Sequence, residues 1–317
     1  MPQKFVVHAV VLLLATIACA DDLPIDLPGE GGAMVDRGHA SVSRGVTDMA
    51  SSIDAFFASD VYEESLNVTR FRVGLGFRVA EYDGVEPLAR LRVNLSLPYT
   101  ARRFNVVISS LSDDDEIDAR VAHSDEDSDV AGFLRFFLIE GDPLQIVLDG
   151  GTRLRPEPDP FVRARVRREV PLGAHNLLRP TQFFFWELQE GLGTRTRVDF
   201  DRQLNHKTLL RLRGQATMTE SSDGVELEPA ALMFRNLNRR SWLRLELSLD
   251  YDTDPPRVVD RYTAGLSYRR AVWRNWLFVE VEPYFRFEQE HDYGPSPGVD
   301  VRVETLIGGD YGRLPSP

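Results

Sequence analysis

The chain has 317 residues, of which 43% are hydrophobic and 27% are charged, and its formal net charge is −12 at pH 7. This composition excludes a disordered chain. The negative charge argues against nucleic acid as a partner, because binding to phosphates requires a clustered basic surface.

Residues 1–20 have the pattern of a secretory signal peptide. Lys4 precedes an apolar run at 5–17, and the sequence ACA at 18–20 gives a small-x-small cleavage site. We therefore predict export and cleavage after residue 20. A lipoprotein with its lipid on Cys19 is the alternative, which Thr16 disfavours because such signals usually carry leucine there.

Residues 21–66 are predicted to form a periplasmic linker that contains a short amphipathic helix. Residues 21–45 are rich in Pro, Gly, Asp and Ser and show no period. Beyond them, apolar residues recur at steps of three and four, which indicates one face of a helix at about 46–58. This docking face consists of Val46, Met49, Ile53, Phe56 and Phe57.

From residue 67 onward the hydrophobic period is two, which predicts β-strands. In the stretch LARLRVNLSL at 88–97, for example, Leu91 and Val93 alternate with Arg90 and Arg92. Many of these runs approach the roughly 9–11 residues that a tilted strand needs to cross a bilayer. Short connections alternate with longer polar ones along the chain. We predict an all-β fold: an antiparallel transmembrane β-barrel of about 14 strands (about 12–14) in an up-and-down meander at 67–307, followed by a tail at 308–317.

Alternation alone does not decide which face of the strands is buried. In a soluble β-sandwich the apolar row would fill a core, whereas in a membrane barrel it would face lipid. The signal peptide and the short-turn, long-loop asymmetry favour the barrel, and with it the bacterial outer membrane. Aromatic residues near predicted strand ends are expected to form an interfacial girdle. They are Trp242, Trp273, Trp276, Tyr99 and Phe104.

Three segments carry a resemblance to known proteins: RTRVDFDRQL, SDGVE and RYTAGLSYRRAVWRNWLFVEVEPYFRF. They resemble an uncharacterised family of proteobacterial proteins predicted to be outer-membrane β-barrels, and the resemblance covers most of the chain after about Ile53. It implies a fold and a location, together with the outer-membrane assembly machinery and membrane lipid as partners. It implies no activity.

The charged row is predicted to line the lumen, with basic strands first and acidic or mixed strands later. We expect Arg211 and Arg213 to pair with glutamates of the next strand, and closure to bring Arg70 and Arg72 near Asp300 or Glu304. This row either lines a water-filled pore or closes it with ion pairs. Its members are Arg70, Arg72, Arg78, Arg90, Arg92, Arg163, Arg165, Arg167, Arg211, Arg213, Glu226, Glu228, Glu246, Glu280, Glu282, Asp300 and Glu304.

Signals for catalysis are weak, and we predict neither enzymatic activity nor a cofactor. The histidines of the mature chain lie in the linker, loops or turns rather than on strand faces beside a serine. The segment 112–129 is rich in Asp and Glu. Such oxygen ligands can hold Ca²⁺ or Mg²⁺, but the EF-hand spacing is absent and a solvated acidic loop is the favoured interpretation.

The predicted function is a pore or gated channel for small polar solutes. The alternative is a closed structural or interaction barrel that binds a periplasmic or lipopolysaccharide-pathway partner, and a lipid-modifying enzyme is a distant third. We expect the helical docking face to pack against the barrel base. Capping the periplasmic mouth, lying on the membrane surface and docking on a partner are the alternatives.

Overall fold

A computed structural model describes most of the predicted barrel and the helix before it. The predicted signal peptide, most of the linker, the acidic segment 112–129 and the tail after Gly308 lie outside the described residues. The described ranges are 46–54, 56–57, 69–82, 84–96, 104–109, 130–140, 143–154, 157–222, 224–254, 258–272 and 276–308.

One sheet of fifteen antiparallel strands makes up nearly all of the described structure, and β7 contains only two residues. The strands are β1 (Arg70–Ala80), β2 (Gly84–Ser96), β3 (Phe104–Ser109), β4 (Val130–Ile139), β5 (Leu144–Leu154), β6 (Asp159–Arg168), β7 (Val170–Pro171), β8 (Asn176–Glu187), β9 (Gly191–Asn205), β10 (Thr208–Thr219), β11 (Glu226–Asn238), β12 (Ser241–Asp252), β13 (Val259–Ala271), β14 (Leu277–Glu288) and β15 (Pro295–Ile307).

The sheet closes on itself. Each long strand pairs with its neighbours in the chain, and β1 pairs with β15 from Phe71 opposite Ile307 to Ala80 opposite Gly298. Closure leaves no long strand with an unpaired edge, as a structure surrounded by hydrocarbon requires. The predicted antiparallel meander barrel of about 14 strands is confirmed.

The two ends of the barrel differ in their connections. At one end, Asn205 and Asn238 each accept a hydrogen bond at 2.9 Å through the side-chain oxygen from the backbone N–H two residues on. These bonds stabilise tight turns. We call this end, where β1 begins and β15 ends, the short-turn end. The opposite end is the long-loop end, and its connections include the 3₁₀ turn Gln289–His291 between β14 and β15.

The helix before the barrel, α1, comprises residues 46–54 and 56–57 of the described chain. Serine and aspartate on its polar side are solvated or bonded within the helix, for example Ser52, whose hydroxyl donates to the carbonyl of Asp48 at 2.6 Å. Among the described residues, no helix has the length and the apolar character needed to cross a membrane.

Candidate functional site

Side chains on the two faces of the barrel differ strongly in exposure. Leu75 and Leu247 point outward and are 62% and 63% exposed, whereas the inward Arg211 and Arg269 are 1% and 0% exposed. A soluble protein buries its apolar row and hydrates its charges, and this barrel does the reverse. Apolar side chains outside and polar ones inside define a transmembrane barrel. The chain has the fold of an outer-membrane β-barrel, a class in which the short turns face the periplasm.

The predicted lumen residues occupy alternate strand positions, and most of them are buried. Arg90, Arg167 and Glu228 are half-buried, and Glu226 is exposed where β11 begins at the long-loop end. The buried members are Arg70, Arg72, Arg78, Arg92, Arg163, Arg165, Arg211, Arg213, Glu246, Glu280, Glu282, Asp300 and Glu304.

A network of buried ion pairs connects β13, β14 and β15 across the inner wall. Arg269 on β13 donates to Glu280 on β14 at 2.9 Å and also to Glu304 on β15. Arg302 on β15 donates to Glu282 on β14 at 2.8 Å. Removing one member of such a network leaves a buried charge without compensation, which costs about 3–5 kcal/mol.

The wall predicted to be basic also contains carboxylates that the sequence pattern did not single out. Asp149 on β5 lies between Arg135 on β4 and Arg163 on β6, and each guanidinium donates to it at 2.7 Å. Arg153 on β5 donates to Glu187 on β8. Ion pairs therefore cross this part of the inner wall as well.

Arg211 and Arg213 do not lie opposite Glu226 and Glu228, with which they were predicted to pair. The register between β10 and β11 places apolar residues opposite both arginines. Arg213 donates instead to Asp199 on β9 at 2.7 Å. The reason is that pairing across a sheet depends on register, which the chain order of charges does not specify.

At the closing seam Arg72 lies opposite Leu306, so the inward Glu304 is its diagonal neighbour on β15, in keeping with the predicted proximity of these residues. Asp300 lies opposite Arg78 and accepts from it, with an Nε to Oδ1 distance of 3.0 Å. Glu304 accepts from β13. The offset between first and last strands follows from the stagger of the whole barrel.

Helix α1 lies in the lumen at the short-turn end. Phe56 packs against Trp242 and Phe278 with ring centroids 5.8 and 5.5 Å apart, and Phe57 packs against Phe234 at 5.6 Å. Burying each of these large apolar side chains stabilises the docked helix by about 1.5–3 kcal/mol. The barrel side of this core is formed by Leu177, Leu209, Leu232, Phe234, Trp242, Ala271, Phe278 and Leu306.

A buried carboxylate adds a polar contact to this apolar docking. Asp54 on α1 accepts from Arg179 on β8 at 2.8 Å and from Arg211 on β10 at 3.1 Å. Asp201 on β9 accepts from the same two arginines at 2.7 Å each. We call these four residues the Asp54 latch. Sequence reasoning missed Asp54, although it follows Ile53 directly and so borders the docking face.

The latch is expected to weaken in acid. Burial raises the pKa of Asp54, but Arg211 and Arg179 lower it more, so that its pKa falls from 3.8 to about 2. A group whose pKa is lowered by docking contributes its full stabilisation above about pH 4 and loses it as the pH falls towards 2. Cleavage of α1 by pepsin, normalised to the unfolded chain, should therefore accelerate between pH 4 and pH 2.

Asp54→Asn provides the control for this prediction. Its side chain does not titrate, so the acceleration of cleavage between pH 4 and pH 2 that belongs to Asp54 should be absent. Equal acceleration in the two proteins would show that the carboxylate of Asp54 does not hold the helix.

The predicted aromatic girdle is only partly at the outer surface. Trp276 and Phe104 are 38% and 37% exposed, as expected for interfacial side chains. Trp242 is wrong as a girdle residue, because its side chain is buried in the lumen against Phe56. Trp273 and Tyr99 lie outside the described residues.

Histidines and carboxylates of the described chain form no evident reaction centre. His175 and His206 lie in short-turn connections, and His291 stacks on Tyr82 at the long-loop end with ring centroids 3.9 Å apart. No cluster of three ligand side chains suited to a metal ion occurs in the described part of the chain. The absence of enzymatic activity remains a prediction.

Neither a family model nor a curated protein matches this chain. Among solved structures, it is similar to the outer-membrane-expressed OmpT of Vibrio cholerae, with 8% identity, a TM-score of 0.47, and 75% of this chain and 97% of that chain covered. The CymD monoaromatic hydrocarbon channel is 7% identical with a TM-score of 0.46, covering 78% and 90% of the two chains.

Proposed function

We propose that this barrel is a gated channel for small polar solutes and that α1 is its gate. The observation that carries the proposal is the position of α1, which occupies the lumen at the short-turn end. Its apolar face covers Leu177, Leu209 and Phe234. Without the helix, these side chains would be exposed to the lumen. An inner wall of charged side chains suits polar solutes rather than apolar ones.

The contacts of α1 support a gate that is held by a limited number of interactions. The helix is short, and one buried carboxylate, Asp54, bonds it to the barrel wall. A helix with its side chains is about 10–12 Å across. Displacing α1 would therefore vacate a space of about that width at the short-turn end of the lumen.

Single-channel recording in planar bilayers tests the gate. The full chain should conduct in small or infrequent steps, and a variant lacking residues 46–57 should conduct in steps several times larger. A chain in which these residues are replaced by a Gly-Ser segment of equal length is the control for linker length, and it should behave like the deletion. A folded deletion variant that never conducts would overturn the proposal.

A closed structural or interaction barrel is the second candidate, and the burial of the lumen charges favours it. Ion pairs such as Arg135 with Asp149 leave both side chains 1% exposed. In this case no variant conducts, and α1 or the barrel wall would bind a periplasmic or lipopolysaccharide-pathway partner. Loss of a co-purified partner on deletion of 46–57 would support this function, and unchanged capture would count against it.

A further inference from the structure

The outer rim of the short-turn end carries exposed basic side chains on β9, β11 and β13 and on the two turns that follow β9 and β11. All six are exposed, and none makes an ion pair with any residue that the structure describes. Neighbouring strands lie about 4.8 Å apart, so the patch extends over roughly 20 Å of the rim. We call this patch the basic rim, and it comprises Arg202, Lys207, Arg235, Arg239, Arg240 and Arg270.

The basic rim lies at the edge of the lipid-facing surface. Arg235 and Arg270 point outward near the ends of β11 and β13, one pleat beyond the outward Met233 and Tyr268. The hydroxyl of Tyr268 donates to Ser241 at 3.2 Å where β12 begins. Tyrosines with a polar tip at this position mark the level where hydrocarbon meets head groups. The basic side chains therefore lie at the depth of the lipid phosphates.

The part of the short-turn rim that carries the basic side chains has no carboxylate of its own among the described residues. The described segments 202–209, 235–243 and 268–272, which form this part of the short-turn rim, contain no Asp or Glu. The long-loop end exposes carboxylates, which include Glu81, Glu157, Glu220 and Glu290. At the short-turn end, the exposed carboxylates of the described chain lie on α1 (Asp48) and after β4 (Glu140) rather than on the rim of β9–β13.

We propose that the basic rim binds the head groups of anionic phospholipids in the periplasmic leaflet. Guanidinium groups bind phosphate oxygens through paired hydrogen bonds, and each basic side chain near a membrane surface attracts anionic lipid. Arg235, Arg239 and Arg240 lie within one turn and the strand end that leads into it, so they can share one head group. This assignment is independent of conduction through the lumen.

Electron spin resonance with spin-labelled lipids tests the assignment on the folded full chain in phosphatidylcholine bilayers. Trace phosphatidylglycerol should associate with the protein about fivefold more strongly than trace phosphatidylcholine. The triple variant Arg235→Gln, Arg239→Gln, Arg240→Gln should lose this preference, so that the two lipids associate with it about equally. The matched variant with lysine at the three positions keeps the charge and should retain the preference. Sodium chloride at about 1 M should suppress it in the wild type.

Three outcomes would overturn the assignment. The wild type could show no preference for phosphatidylglycerol. Alternatively, the glutamine variant could keep the preference of the wild type, and the lipid would then bind elsewhere on the barrel. Loss of the preference in millimolar inorganic phosphate would show a site for free phosphate rather than for lipid. If the glutamine variant fails to fold, as judged by heat-modifiable gel mobility, the lysine variant and the salt titration of the wild type decide.

Discussion

Replacing Asp54 with alanine should release α1 from the lumen. The substitution leaves Arg179 and Arg211 with only Asp201 as a shared carboxylate partner in the latch. Loss of one partner from a buried ion pair costs about 3–5 kcal/mol, and a cost of about 3 kcal/mol changes an equilibrium about 150-fold. The chain contains one cysteine, Cys19, in the predicted signal peptide, so a cysteine placed at Ile53 is a unique label in the mature chain.

Maleimide labelling of Ile53→Cys measures this release. We expect labelling of the folded barrel to be about 100-fold faster when Asp54→Ala is also present. Asp48→Ala is the matched control, because Asp48 lies on the exposed side of the same helix and should leave the rate unchanged. If the two alanine variants label at the same rate, the apolar face alone holds α1 in place.

Replacing Arg269 with methionine should destabilise the barrel more than any other single change to the lumen wall discussed above. Arg269 is 0% exposed and connects Glu280 and Glu304, so its loss leaves two buried carboxylates without this cation. We expect the free energy of unfolding, measured in urea with the protein in lipid vesicles, to fall by about 3–5 kcal/mol.

Two further variants show whether this loss comes from burial. Arg261→Met removes a partly exposed arginine that pairs with Asp250 at 2.8 Å, and it should cost about 0–1 kcal/mol. Adding Glu280→Leu and Glu304→Leu to Arg269→Met removes the stranded charges and should restore much of the stability. Equal losses for the two single arginine variants would contradict the role assigned to the buried network.

The direction of each strand face could be predicted from the sequence because alternation is local. Arg72 and Leu75 on β1 lie on the inner and outer faces as their positions in the period-two pattern require. Trp242 follows the same rule, since it lies two residues before the inward Arg244. Trp242 was predicted to lie in the outer girdle because tryptophan is common there, although the alternation of inward and outward positions places it inside.

Contacts between strands could not be predicted because they depend on register and stagger. The pairing of Arg78 with Asp300 follows from the offset between β1 and β15, and no pattern in either strand alone specifies that offset. For α1 the sequence predicted packing against the barrel base, with capping of the periplasmic mouth as an alternative, but not insertion into the lumen. The amphipathic pattern of a helix indicates that one face must be buried. It does not indicate that the lumen has an apolar surface at one end, because Leu209 and Phe234 come together only in the folded barrel.

The seam between β1 and β15 has a consequence for the order in which the barrel is built. Arg78 and Asp300 are separated by 222 positions in the chain, so their bond closes nearly the whole fold. Such non-local pairing is slow, because the entropy of closing the loop is lost before the contact forms. The strand that is synthesised first must therefore wait for the last one. Until then, β1 presents an open edge beside an apolar face, which is the state most prone to aggregation.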